Sequence, residues 1–97
     1  MYLEFEWDEG KAATNAKKHK VGFDEAATVF SDPLAVIFDD EQHSEEEQRE
    51  IIIGHSADNR LLLVSFTERH AAIRVRVISA RRATRKERKD YEENPHR

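Results

Sequence analysis

A chain of 97 residues, 38% hydrophobic and 37% charged, bounds one domain with a small core, spanning 1–97 and near the lower end of what folds unaided. The absence of cysteine excludes a disulfide framework and a thiolate zinc site. No apolar run approaches the roughly 18 residues of a membrane span and no signal-peptide h-region opens the chain, so the expectation is a soluble cytoplasmic protein with no membrane partner.

In chain order, Tyr2 to Trp7 alternates, with Leu3, Phe5 and Trp7 on one side and Tyr2, Glu4 and Glu6 on the other, which predicts a half-buried strand. Asp8 then reads as the N-cap of a helix from about Glu9 to Lys20, with Trp7 and Ala12 at the positions of a hydrophobic staple. Lys17, Lys18 and Lys20 suit its C-terminal dipole, and Gly22 is expected to close it. Phe23, Ala26, Ala27 and Phe30 form an apolar stripe on a second helix, Phe23 to Ser31, which Asp32-Pro33 ends.

Leu34 to Phe38 is apolar on both sides and reads as an interior strand. The following Asp39–Gln48 tract carries six acids; it is a solvated turn or, alternatively, a weak divalent-cation loop. Strands follow at Arg49–Ser56, Leu61–Arg69 and Ile73–Ala80, joined as a meander through a turn at 57–60 and a short connection at His70-Ala71-Ala72. Thr84 and Glu87 have capping-box spacing, so a last helix runs from about Arg85 to Glu93. It is polar all round except for Tyr91, and gains little from burial. The order β-α-α-β-β-β-β-α describes an α+β fold, an antiparallel-dominated sheet with two helices on one face and a short C-terminal helix.

Net charge is −4, yet it is unevenly spread. Residues 69–97 hold ten Lys/Arg against four acids, net +6, whereas residues 1–68 hold six against sixteen, net −10. The asymmetry points either to an anionic ligand or to merely solvated faces. There is no phosphate-binding loop, dinucleotide fingerprint, serine nucleophile elbow or zinc-helix motif, and the five histidines (19, 43, 55, 70 and 96) show no metal-ligand spacing; no metal or cofactor is expected.

What remains is arginine, which matches phosphate bidentately. Alternation puts Arg74 and Arg76 on the face opposite Val75 and Val77; on the preceding strand Arg69 shares a face with Thr67, and Glu68 takes the other. The bland reading pairs Arg74 and Arg76 with Glu68 or Glu50 across strands. Arg81 and Arg82 follow with no acid nearby in sequence. RNA transesterification by the 2′-OH needs in-line geometry, proton transfer and positive charge on the phosphorane, which arginines can supply without a metal. Glu68, His55 and Tyr91 are the candidate proton carriers, each with a structural alternative: a cross-strand ion pair, a turn-flanking residue and a helix anchor.

Nearly end to end, the chain resembles the BrnT toxins of bacterial type II toxin–antitoxin systems, relatives of the RelE ribonucleases. The likeness rests on Phe5-Glu6-Trp7-Asp8 with Lys11 and Asn15, Lys18-His19-Lys20-Val21 with Phe23 and Glu25-Ala26, and Val29 to Pro33. It continues through Arg49 before Ile51-Ile52-Ile53-Gly54, Thr67-Glu68-Arg69, Ile73-Arg74, Val77 to Thr84, Glu87-Arg88 and Tyr91-Glu92. Lys20 departs from it, standing where glycine is common, a change expected to affect only the helix end.

The resemblance implies a RelE-like fold, RNA cleavage that halts growth, and neutralisation by a BrnA-like antitoxin with a ribbon-helix-helix domain through which the complex contacts operator DNA. Family toxicity carries most readily to Arg69 and Arg81, then to Glu68, Arg82 and Tyr91, so Arg69, Arg81, Glu68 and Tyr91 are the catalytic candidates; Arg82 and, from the cationic stretch itself, Arg74, Arg76 and Arg85 are the expected RNA contacts. The rival readings are a non-catalytic subunit of a toxin–antitoxin repressor complex and a small structural α+β domain. The last leaves the cationic half unexplained.

Overall fold

The structure is a computed structural model that describes residues 3–43, 48–69 and 73–93. The first strand, β1 (Glu4–Glu6), leads through α1 (Glu9–His19) and α2 (Phe23–Thr28) to four further strands: β2 (Val36–Asp39), β3 (Glu50–His55), β4 (Leu61–Arg69) and β5 (Arg74–Arg82). The helix α3 (Arg85–Glu93) ends the described chain. The strands form one sheet in the order β1-β5-β4-β3-β2, antiparallel throughout except where β1 joins β5 in parallel. The 70–72 connection and most of the second half of the acidic loop, 44–47, lie outside the described residues.

One sheet face carries the core. Phe66, Val64 and Leu62 of β4, Val75, Val77 and Ala80 of β5 and Ile52 of β3 are buried there against Val21, Phe23, Ala26 and Val29. Phe5 and Trp7 join from the N-terminus, with the Phe5 ring tilted against Phe30, Phe30 edge-on to Phe66, and Trp7 edge-on to Phe23. Asp8 caps α1 as expected, its carboxylate accepting the Lys11 N–H at 2.9 Å. That backbone hydrogen bond holds the Asp8 carboxyl below its ordinary range.

Several expectations need correction. α1 is closed by Lys20, not Gly22: Lys20 takes the left-handed conformation (φ 61°) and its N–H bonds the Ala16 carbonyl, while Gly22 begins α2. α2 is shorter than its apolar stripe suggested, because Val29–Ser31 tightens into a 3₁₀ turn that brings Val29 rather than Ala27 fully inside. Helix and β3–β4 turn are fastened by Glu25, which accepts from Ser56 Oγ at 2.6 Å and Arg60 Nε at 3.0 Å. The Arg60 hydrogen bond, with that from Ser56, pulls the Glu25 carboxyl below its ordinary range.

The interior assignment of the second strand is wrong. β2 is the outer strand of the sheet, and Ile37 and Phe38 are about half exposed (49% and 46%). An apolar run on both sides identified a strand but not its place, since burial depends on neighbours that are remote in sequence. Gly54 on β3 meets the chain leading into β2 so closely that a Cβ there would lie 2.8 Å from the Ala35 Cβ and 3.0 Å from Asp32 Oδ2. That contact seats Asp32 to accept the His55 N–H at 2.7 Å.

Strand β5 runs to Arg82, two residues beyond the expected end, and it carries a bulge. The pairing Ser65 with Ser79 is followed by Phe66 with Val77, leaving Ile78 as the extra residue. The bulge reverses the alternation: Arg74, Arg76, Ser79 and Arg81 share the open face, while Val75, Val77, Ala80 and Arg82 share the core side. β1 covers β5 only along 74–76. Beyond it α1 lies beside the strand, and buried Asn15 bonds Ala80.

Candidate active site

The open face holds two cationic groups that the sequence placed together and the fold separates. At one end, Arg74 pairs with Glu4 at 2.7 Å and Arg76 with Glu6 at 3.1 Å, while Arg69 Nε lies 3.8 Å from Glu6. The partners are the β1 glutamates, not Glu68 or Glu50, because β1 adds in parallel beside β5 and sets Glu4 across from Arg74 and Glu6 across from Arg76. The charge asymmetry along the chain is therefore largely cancelled here in space. Glu68 is exposed on the other side of the sheet, opposite Val75, and helps raise the Glu50 carboxyl, whose main perturbation is burial.

The second group surrounds a cleft of about 350 Å³ lined by His19, Asp40, Arg49, Ser65, Ser79 and Arg81, with Ile51 and Leu63 among its apolar floor. Arg81 lies across from Leu63 and Arg69 across from Arg74. Leu63 and Arg69 are six residues apart on β4, roughly 20 Å at strand spacing, so Arg69 and Arg81 cannot grip one phosphate.

Arg81 is aimed from α3. Its Nη1 and Nη2 donate to the two carboxylate oxygens of Glu87, each at 2.8 Å. Glu87 also closes the expected capping box: its Oε1 accepts the Thr84 N–H at 2.9 Å and its N–H donates to Thr84 Oγ1 at 3.1 Å. The Arg81 fork, above all, pulls the Glu87 carboxyl down to about 2. This pairing spends the terminal nitrogens and leaves the Nε–H edge of Arg81 with no hydrogen bond among the described residues. Arg49 reaches the cleft from the foot of β3, where its carbonyl accepts the Asp40 N–H at 2.9 Å and extends the β2–β3 ladder.

Tyr91 anchors α3, its hydroxyl donating to the Leu34 carbonyl at 3.1 Å and its ring standing edge-on to His55 at 5.9 Å. Burial, chiefly, raises its phenol above the ordinary range. Arg82 is exposed on the core side and Arg85 is exposed at the start of α3. Of the eight residues singled out from sequence, only Arg81 lines this cleft. His19 and Arg49 do too, and they were passed over. Both stand within the motif stretches, Lys18-His19-Lys20 and Arg49 before the Ile triplet, which was the available signal.

Among the described residues no three His, Asp or Glu side chains converge as metal ligands, and no helix is long and apolar enough to cross a membrane.

The chain matches over residues 7–87 the family described as "Ribonuclease toxin, BrnT, of type II toxin-antitoxin system". Among solved structures it is similar to the Brucella abortus ribonuclease toxin BrnT, with 25% identity and a TM-score of 0.65 over 86% of this chain and 99% of that one. No curated protein matches. With a five-stranded sheet and three helices among the described residues, and a family match over most of its length, the chain belongs to the BrnT family of ribonuclease toxins of type II toxin–antitoxin systems.

Proposed function

We propose that the protein is a metal-independent endoribonuclease with a RelE-like fold that halts translation and growth in the cytoplasm. In this reading a BrnA-like antitoxin with a ribbon-helix-helix domain neutralises it, and the complex contacts operator DNA through that antitoxin. The observation that carries the reading is the cleft that Arg81 and Arg49 line together, with Ser65 and Ser79 beside them. Two guanidinium groups stabilise the charge that builds on phosphorus as the 2′-OH attacks, and Arg81 offers its Nε edge while Glu87 fixes its other end. Arg69, Arg74 and Arg76, tied to β1, track the RNA backbone at a distance from the scissile bond, with Arg82 and Arg85 at the margin. Glu68 and Tyr91 lie outside the cleft lining, and Tyr91 anchors α3.

The reading is tested by inducing the gene with and without its neighbour, following growth and total RNA, and by incubating purified protein with RNA in EDTA. Arrest with RNA loss, relief by the neighbour, cleavage in EDTA and loss of both effects in Arg81→Ala are expected. Normal growth and intact RNA despite soluble protein would leave the non-catalytic repressor subunit, which the neutralised Arg69–Arg74–Arg76 group favours.

A further inference from the structure

The cleft contains a residue that arginine chemistry does not account for. His19 is the last residue of α1 and is half-buried, lining both this cleft and the adjoining groove along α1. It makes no hydrogen bond or ion pair among the described residues. His55, by contrast, is fastened: its N–H is bonded to Asp32, its Nδ1 lies 3.8 Å from Asp32 Oδ2, and its ring stands against Tyr91. A polar ring left without a partner inside a cationic cleft is placed to meet a ligand. Its position is no accident of an exposed helix end. The left-handed turn at Lys20 halts α1 at His19, and the Asn15–Ala80 bonds press that last turn against the β5 bulge beside Ser79 and Arg81.

Resting on the ribonuclease reading, we infer that His19 is the general base of cleavage. Its neutral imidazole takes the proton of the attacking 2′-OH. The new O2′–P bond forms, the P–O5′ bond breaks to leave a 2′,3′-cyclic phosphate, and the departing O5′ takes a proton from water. Histidine suits this work because its ordinary titration range spans neutral pH. Asp40, Arg49 and Arg81 face it across the cleft, and Asp8, Lys11 and Lys18 line the adjoining groove. Among the described residues Asp40 is the one competing base that lines the cleft.

The test compares wild type, His19→Ala and Asp40→Asn for RNA cleavage across pH, RNA affinity and thermal stability, using an oligoribonucleotide that the wild type cuts. His19→Ala should keep its fold and its RNA affinity while cleavage falls about 100-fold or more. The rise of rate with pH through the neutral range should vanish in this variant, and added imidazole should restore part of the rate. His19→Gln, which keeps bulk and polarity but cannot act as a base, should be equally slow. Near-wild-type cleavage by His19→Gln, or a loss confined to Asp40→Asn, would overturn the assignment while leaving the ribonuclease intact. Failure of the wild type to cut any RNA would overturn the ribonuclease reading itself.

Discussion

Asn15 and Ala80, 65 residues apart, are joined by two hydrogen bonds: Asn15 Nδ2 donates to the Ala80 carbonyl at 2.8 Å, and Asn15 Oδ1 accepts the Ala80 N–H at 3.1 Å. A side-chain amide thus stands in for the strand that β5 lacks beyond β1, and Nδ2 also reaches the Val21 carbonyl at 3.0 Å. Asn15→Leu keeps the branched shape but abandons buried backbone groups, each costing about 1–3 kcal/mol. Urea denaturation should show a loss of about 2–4 kcal/mol. A loss well below 1 kcal/mol would mean that the edge is satisfied in another way.

Lys20 occupies a left-handed position without being glycine. Its ammonium donates to the Lys17 carbonyl at 3.1 Å, an exposed bond of small value. Lys20→Gly removes the Cβ clash and should stabilise the protein by about 1 kcal/mol, raising Tm by about 4–8 °C. An unchanged or lower Tm would contradict the strain.

The Arg81–Glu87 pair makes α3 acid-sensitive. The folded-state Glu87 carboxyl titrates at about 2 against an ordinary 4.5. Its depressed value means that the contribution is complete above about pH 4.5 and is lost as pH falls toward 2. At this half-exposed site the pair is worth about 1–2 kcal/mol. Glu87→Gln should lower stability at pH 7 by that amount and flatten the acid limb of a stability–pH curve, measured by guanidinium denaturation.

Arg69 and Arg81 should not behave alike. Alanine at Arg81 removes a donor aimed into the cleft and should cut RNA cleavage by about 10²–10³-fold. Alanine at Arg69 removes the RNA-backbone contact proposed for it and should lower RNA affinity by about tenfold or less, with a smaller salt dependence. Single-turnover rates and binding isotherms on one oligonucleotide separate the two. Equal losses in the chemical step would reunite the two clusters as one site.

Much of the local structure was legible in the sequence because local chemistry decides it. The alternation of Leu3, Phe5 and Trp7, the Asp8 cap and the reciprocal Thr84–Glu87 box each involve residues within a few positions of one another, and each element formed there. The bounds of β4 and α3 agree for the same reason. The family was legible too, since its motifs lie in order along the chain.

What tertiary structure alone decided is which of these residues meet. Parallel addition of β1 to β5 gave Arg74 and Arg76 their glutamate partners, a pairing across some 70 residues that no local pattern encodes. The Ile78 bulge, held beside Asn15, shifted the alternation so that Arg81 faces the cleft and Arg82 does not. Strict period-two alternation from Val75 would have exchanged them, because one inserted residue turns every later side chain to the other face. The same shift set Arg81 beside Arg49 and His19, residues from three separate elements.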